Sequence, residues 1–286
     1  MNRSWLVTGS STGLGRALVE AIAAAGECVL ATARKPEILD DLAMAYPETV
    51  VTTGLDVRDE LQCAAAVDLA VERFGGIDVL VNNAAYGLFG TVEEVADDEL
   101  RAMLETNLLG PWRLTRKALP VMRAQGSGHV LLVSSTSGYL ALPGIAAYTT
   151  GKFALEGMGE SLAMEVAPFG IRVTVLQPGG YATEWGNSLV EARGRMPEYE
   201  AFTSEMLAGM RALKGLPTVH PPAEFADAVL RLVDMNEPPL RLPLTPFGWQ
   251  TAVDAARGRH AGLLAAAAAT GASIPAGPVE VSVPLN

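Results

Sequence analysis

Tyr148 and Lys152 stand four residues apart in Tyr148-Thr149-Thr150-Gly151-Lys152, a spacing that puts both side chains on one face of a helix. A phenol titrates near pH 10 and is a poor acid–base catalyst at neutrality, but a nearby ammonium favours its anion and lowers that value. The pair is a candidate for moving a proton, with Lys152 as the cation that tunes the phenol. Upstream, Ser134-Ser135 closes the apolar run His129-Val130-Leu131-Leu132-Val133. A hydroxyl at the carboxyl end of such a strand can hold a carbonyl oxygen, because open α/β sheets bind ligands at that edge.

A second cluster lies near the amino terminus, where Thr8-Gly9-Ser10-Ser11-Thr12-Gly13-Leu14-Gly15 sits between an apolar run and a helical pattern. Glycines there permit positive φ and let a ligand approach the backbone, and free N–H groups at a helix start attract a pyrophosphate. The spacing is G-x-x-x-G-x-G, with Leu18 where the third glycine of G-x-G-x-x-G would fall. A tight strand-to-helix connection would use the same glycines, so the context decides. Dinucleotide enzymes often end their second strand on an acid that holds the ribose 2′-OH. Here that strand ends Thr32-Ala33-Arg34-Lys35. Arg34 matches a 2′-phosphate bidentately, which favours NADP(H) over NAD(H); Lys35 reads equally well as a solvated charge before Pro36. Asp56, in Leu55-Asp56-Val57 after the third strand, either reaches an adenine amino group or caps a helix.

The elements that must carry these residues follow from periodicity. Strands are expected at 5–8, 28–32, 50–55, 78–81, 129–134 and 171–177, and helices at 14–25, 36–45, 59–74, 97–123 and 147–167. Strands apolar at nearly every position suit a parallel sheet covered on both faces. With right-handed crossovers the expected architecture is α/β, a doubly wound, Rossmann-like parallel sheet in a single domain. A helix at about 222–235 and a short strand near 240–244 complete it. The catalytic domain is expected to span 1–245, including a substrate-covering segment at about 181–216 rich in Met, Trp and Phe. Residues 246–286 form an extension containing a short Ala-rich helix at 263–269 and an extended Pro/Val-rich arm.

Taken together, Thr8-Gly9-x-x-x-Gly13-x-Gly15, Asn82-Asn83-Ala84-Ala85, Asn107, Ser135, Tyr148-x-x-x-Lys152 and Pro178-Gly179 resemble, in that order, the short-chain dehydrogenase/reductase family, from about residue 4 to residue 245. The resemblance implies Tyr148 as general acid/base, Lys152 as the group that binds the nicotinamide ribose and lowers the tyrosine pKa, and Ser135 as the group orienting the substrate carbonyl. It implies that the Asn107 backbone holds a water in a proton relay to the lysine. It extends the cofactor site from Gly9, Ser10, Ser11, Thr12, Gly13, Leu14, Gly15, Arg34, Asp56 and Val57 to Asn82, Ala84, Tyr148, Lys152, Pro178, Gly179 and Thr183. Ala85 departs from the family's glycine and restricts the backbone more. The helices holding Asn107 and Tyr148 form subunit interfaces in that family, which implies a homodimer or homotetramer.

The implied activity is hydride transfer between NADP(H) and a small-molecule carbonyl or alcohol carbon, in the reductive direction. Tyr86, Phe89, Tyr139, Leu140, Ile145, Tyr181, Trp185, Met206 and Met210 are expected near the open sheet edge, a lining suited to an apolar ketone or aldehyde. The alternative from another class is an NADP(H)-binding regulator without catalysis; a related epimerase or dehydratase would need a separate substrate domain. The net charge of −11, spread along the chain, argues against nucleic acid. Cys28 and Cys63 are too isolated for a disulfide framework, and His129, His220 and His260 lie too far apart for a metal site. No signal-like or membrane-spanning stretch stands out, so the expected location is the cytoplasm and no membrane partner is expected.

Overall fold

Runs that are apolar on both sides must be covered on both sides, and the computed structural model, which describes residues 2–274, covers them in this way. The first half of the chain gives β1 (Ser4–Val7), α1 (Gly13–Ala24), β2 (Cys28–Ala33), α2 (Asp40–Ala45), β3 (Val50–Gly54), α3 (Glu60–Phe74), β4 (Val79–Asn82) and β5 (Leu88–Phe89). The middle gives α4 (Asp97–Leu104), α5 (Gly110–Gln125), β6 (Gly128–Val133), α6 (Ala146–Val166) and β7 (Ile171–Gln177). The remainder gives β8 (Val190–Glu191), α7 (Pro197–Ala212), α8 (Pro222–Val233), β9 (Arg241–Pro243) and α9 (Thr245–Thr270).

Seven strands form one sheet in the order β3-β2-β1-β4-β6-β7-β9, with every neighbouring pair parallel. The chain winds outward from β1 to β3, returns, and winds the other way from β4. That reversal opens a crevice beyond the carboxyl ends of β1 and β4, where ligands bind in sheets of this kind. Alternate residues of each strand feed opposite cores. Trp5 and Val7 of β1 pack with Leu18, Ile22, Phe225 and Val229 of α1 and α8, whereas Leu6 packs with Cys63, Leu114 and Leu155 of α3, α5 and α6.

Three features depart from the expected elements. The single helix expected at 97–123 is broken by a π-helical turn, Glu105–Leu109, between α4 and α5. Pro111 is the cause within reach of sequence, since it has no N–H for the carbonyl of Asn107 four residues earlier. A small second sheet pairs β5 with β8 in parallel and ties the segment after β7 to the segment after β4. Finally, the short helix expected at 263–269 is the end of a 26-residue helix, α9, that starts at Thr245. Thr245, with φ 66°, is the one non-glycine residue in the left-handed region among the described residues. Its hydroxyl accepts from Gly248 N at 3.2 Å and so caps the helix it starts. The Pro/Val-rich arm lies largely outside the described residues.

Candidate active site

The glycine turn stands at the switch point, and its bare positions are filled by neighbours. A Cβ on Gly9, whose φ is +68°, would lie 2.9 Å from Ala84 Cα, and one on Gly15 would lie 2.4 Å from both Gly9 O and Asn83 Nδ2. Thr8 Oγ1 accepts from Asn83 N at 2.9 Å and Ala84 N at 3.0 Å, while Asn83 Nδ2 donates to Thr8 O at 2.8 Å and Gly9 O at 3.1 Å. Asn83 thus binds the turn to the loop after β4, a role the sequence reading did not give it. Asn82, which it singled out, is buried with its amide donating to Thr115 Oγ1 at 3.1 Å. The Ser10 hydroxyl is likewise turned inward, donating to Val7 O at 3.1 Å. The Thr12 side chain caps none of the N–H groups opening α1, so the turn from Ser11 through Gly13 and Leu14 keeps backbone donors for an anion. Thr183 lies above it, its Cγ2 3.5 Å from where a Gly13 Cβ would stand.

Ser135, Tyr148 and Lys152 converge at the carboxyl end of β6. The Ser135 hydroxyl opens a short turn by accepting from Ser137 N at 3.1 Å. The first turn of α6 carries Tyr148, and Lys152 follows one turn later with Nζ donating to Val133 O at 2.8 Å. Its ammonium lies 5.5 Å from the centre of the Tyr148 ring, over the ring face. The expected lowering of the phenol's pKa by Lys152 is absent. Burial pushes Tyr148 up to about 12, with the adjacent Ser135 hydroxyl pulling weakly the other way. Burial likewise pulls Lys152 down to about 8, opposed by the charge of Glu156. In a dry site desolvation of the charged form outweighs a cation that faces the ring and is already hydrogen-bonded to a carbonyl.

Asn107 sits in the π-helical turn and is buried, with Oδ1 accepting from Tyr86 N at 3.1 Å and Nδ2 donating to Tyr86 O at 2.8 Å. Its side chain therefore fixes the loop after β4. π-helical turns recur at functional sites because they free backbone groups from the regular ladder, and Pro111 leaves the Asn107 carbonyl without its α-helical donor. Around Tyr148 gathers an apolar wall of Phe89, Ile145, Trp185, Leu189, Leu207 and Met210, with Met206 against it. The Trp185 ring centre is 5.4 Å from that of Tyr148. Leu189 and Leu207 were missed in the sequence, since neither lies in a segment with a motif.

Four expected lining residues lie elsewhere. Tyr86 packs with Leu88 and Met103, and Tyr181 joins the α1–α8 core against Phe225. Tyr139 donates its hydroxyl to Gly248 O at 2.8 Å in α9, while Leu140 beside it is half-buried outside the wall. Gly179 meets α9 too, a Cβ there falling 2.5 Å from Thr245 Oγ1, so a chain crossing accounts for this glycine. Pro178 O accepts from Thr136 N at 3.1 Å, joining the loops after β6 and β7.

At the far end of the crevice Arg34 is exposed, and no ion pair holds it among the described residues. Asp56 is engaged, with Arg58 Nε donating to its Oδ1 at 3.0 Å and Arg58 Nη2 to its Oδ2 at 2.6 Å. The hydrogen bond from the Arg58 guanidinium keeps this carboxyl below the ordinary aspartate range. The capping role falls to Asp59 instead, which caps α3 by accepting from Leu61 N and Gln62 N. Val57 packs its side chain on Gly110 at the start of α5. Among the described residues no group of three His, Cys, Asp or Glu side chains is placed to hold a metal, and no helix is long and apolar enough to cross a membrane.

A doubly wound sheet with a glycine turn at its switch point and a Ser, Tyr, Lys cluster at its carboxyl edge defines a class of nucleotide-binding oxidoreductases. The family model described as short chain dehydrogenase matches residues 3–194. The oxidoreductase BOA17 of Botryotinia fuckeliana is 41% identical over 247 residues, which are 86% of this chain and 90% of that protein. A short-chain dehydrogenase from Streptomyces avermitilis superposes with a TM-score of 0.85 at 38% identity, covering 96% of this chain and 99% of the other. An alcohol dehydrogenase from the archaeon Thermococcus sibiricus, complexed with 5-hydroxy-NADP, gives 0.70 at 26% identity over 86% of this chain and 97% of the other. The chain belongs to the short-chain dehydrogenase/reductase family and is an oxidoreductase of that type.

Proposed function

We propose that the protein is an NADP(H)-dependent reductase of apolar small-molecule carbonyl compounds in which Tyr148 is the proton donor. The observation that carries this reading is a buried phenol held neutral, with its pKa pushed up to about 12, beside the Ser135 hydroxyl and inside an apolar wall. A neutral phenol can give a proton to a developing alkoxide, and it is a weak base. The bare turn and open helix start fit a dinucleotide phosphate, and at the adenosine end the exposed guanidinium of Arg34 suits a 2′-phosphate. The relative complexed with 5-hydroxy-NADP supports the same preference.

The residues that would hold the cofactor are the backbone of Gly9, Ser10, Ser11, Thr12, Gly13, Leu14 and Gly15, with Arg34, Asp56, Val57, Asn82, Ala84, Tyr148, Lys152, Pro178, Gly179 and Thr183. When bound, its nicotinamide supplies or accepts the hydride. Ser135 orients the substrate oxygen and Tyr148 protonates it. Lys152 keeps a positive charge near the phenol as that proton leaves, and the Asn107 carbonyl holds a water through which the proton is replaced. Phe89, Ile145, Trp185 and Met210 exclude bulk water and favour an uncharged ketone or aldehyde. The reverse oxidation uses the same groups. Residues 1–245 carry the reaction and 246–286 extend them; the protein works as a cytoplasmic homodimer or homotetramer.

A panel of uncharged ketones and aldehydes assayed with NADPH and NADH tests the reading. Tyr148→Phe should lower turnover by on the order of 10²–10⁴-fold, the usual worth of a positioned proton donor; equal activity in both proteins rejects the mechanism. Arg34→Asp should weaken NADPH binding at least tenfold, the loss of a charge-assisted hydrogen bond of about 1.5–3 kcal/mol, and leave NADH nearly unchanged. An unaltered preference would place the phosphate elsewhere.

A further inference from the structure

One helical turn beyond Lys152, α6 buries a carboxylate that the reaction described above does not use. Glu156 is 6% exposed. Its Oε1 accepts from Gln177 Nε2 at 2.9 Å, at the last residue of β7, and its Oε2 accepts from Arg241 Nε at 2.9 Å, at the start of β9. Arg241 also donates from Nη2 to Glu160 Oε2 at 2.7 Å. On the other side, a Cβ on Gly138 would fall 2.7 Å from Glu156 Oε1 and 2.5 Å from Ser134 Oγ. Glu156 therefore touches, or is bonded to, the turn that presents Ser135, the strand that ends at Gln177, and the last strand of the sheet. It shares a helix face with Lys152.

We propose that Glu156 is a positioning residue for this site: clamped by Arg241 and Gln177, its carboxylate keeps the buried Lys152 ammonium charged and locks the Ser135 turn against α6. The proposal rests on the reading of Lys152 as the ammonium of the active site. An ammonium in a dry interior is unstable unless an anion offsets the lost hydration. The one hydrogen bond of Lys152 is donated to a neutral carbonyl, Val133 O. The groups around the pair are few. On α6 they are Tyr148 and Glu160; from β7 comes the neutral Gln177, from β9 Arg241, and from the loop after β6 Tyr139. From the π-helical turn Glu105 is engaged by Arg113 at 2.7 Å, and from α9 Arg259 stacks over the Phe153 ring at 5.5 Å. Glu156 is thus the buried anion one helical turn from Lys152 on the same face of α6, and Arg241 is the group that partly neutralises it. Consistent with this, burial pulls Lys152 down and Glu156 is what opposes it.

The two neighbours of Lys152 should act with opposite sign. Full-length protein carrying ¹³C-labelled lysine, with the Lys152 Cε resonance assigned by its loss in Lys152→Met, gives the titration midpoint directly and without turnover. The wild-type midpoint is expected at about 8. Glu156→Gln, which keeps the carboxylate's size and shape without its charge, should lower it by about one pH unit, a tenfold change in acidity and the low end for loss of a nearby opposite charge. Arg241→Gln should raise it, because the carboxylate is released from its partner. A purely structural clamp would lower the melting temperature in both variants without shifting the two midpoints in opposite directions. An unmoved midpoint in Glu156→Gln, or a lowered one in Arg241→Gln, overturns the proposal, and Arg241→Gln decides alone if Glu156→Gln does not fold. Shifted midpoints together with an active Tyr148→Phe protein would retain Glu156 in this role and reject the proposed reaction.

Discussion

Burial moves the two titrating groups of the site apart, the phenol of Tyr148 up to about 12 and the ammonium of Lys152 down to about 8. The gap between donor and cation is thereby widened without either changing its charge at neutral pH, which keeps the phenol protonated as a donor beside the cation. The spacing of these residues was legible as one helix face, and Ser135 as the end of a strand. The sign of the phenol's shift was not, because it depends on how much water the wall of Phe89, Ile145, Trp185 and Met210 excludes. The choice between adjacent asparagines was also invisible: the strand's alternation sends Asn82 inward to Thr115 and leaves Asn83 to bridge Thr8 and Gly9. Asn83→Ala strips a donor from two carbonyls and should cost about 1–3 kcal/mol of stability while weakening NADPH binding. Urea unfolding and a fluorescence titration of NADPH check both, and full stability with unchanged binding would remove the bridge from the account.

Between residues and whole fold, the elements that resisted sequence reading are those held by something other than periodicity. β5 and β8 have two residues each, too few to show a period of two. The break between α4 and α5 was signalled by Pro111, but proline is tolerated at a helix start, and a new helix start inside a long apolar pattern is hard to see. The length of α9 was hidden because only Gly248 of its residues is buried, so no apolar stripe marks it. The covering segment shows how such elements serve the site. Gly186 lies against α7 so closely that a Cβ would fall 2.1 Å from Met210 O, and backbone cannot yield as a side chain tip can. Gly186→Ala should push α7, and with it Met206 and Met210, away from the wall around Tyr148. Expected is a KM for apolar ketones raised several-fold with kcat less affected. An unchanged KM would show that the wall does not depend on this contact.

At the scale of the molecule, the parallel sheet was legible because its strands are apolar on both faces; their order was not, since periodicity says which residues face a core and is silent on which strands are neighbours. The same burial that defines the sheet imposes a pH limit on it. His129 on β6 is fully buried, and its Nε2 lies 3.0 Å from Thr174 Oγ1, whose own proton goes to Pro239 O at 2.8 Å. Nε2 is therefore the protonated nitrogen of a neutral ring, and Nδ1 has no partner. Burial first, and the charge of Arg172 second, pull its pKa from 6.5 to about 3. Below 6.5 the unfolded chain takes up a proton that the folded protein refuses until about pH 3, so stability is complete above that window and falls as pH drops through it. From pH 7 to pH 5 this one group should remove about 2 kcal/mol, at about 1.4 kcal/mol per unit once the unfolded histidine is charged. Urea unfolding at the two pH values measures the loss directly. His129→Gln keeps a donor for Thr174 and has nothing to protonate, so it should be less stable than wild type at pH 7 yet lose far less on acidification. If the variant weakens with acid as steeply as the wild type, the sensitive group lies elsewhere in the fold.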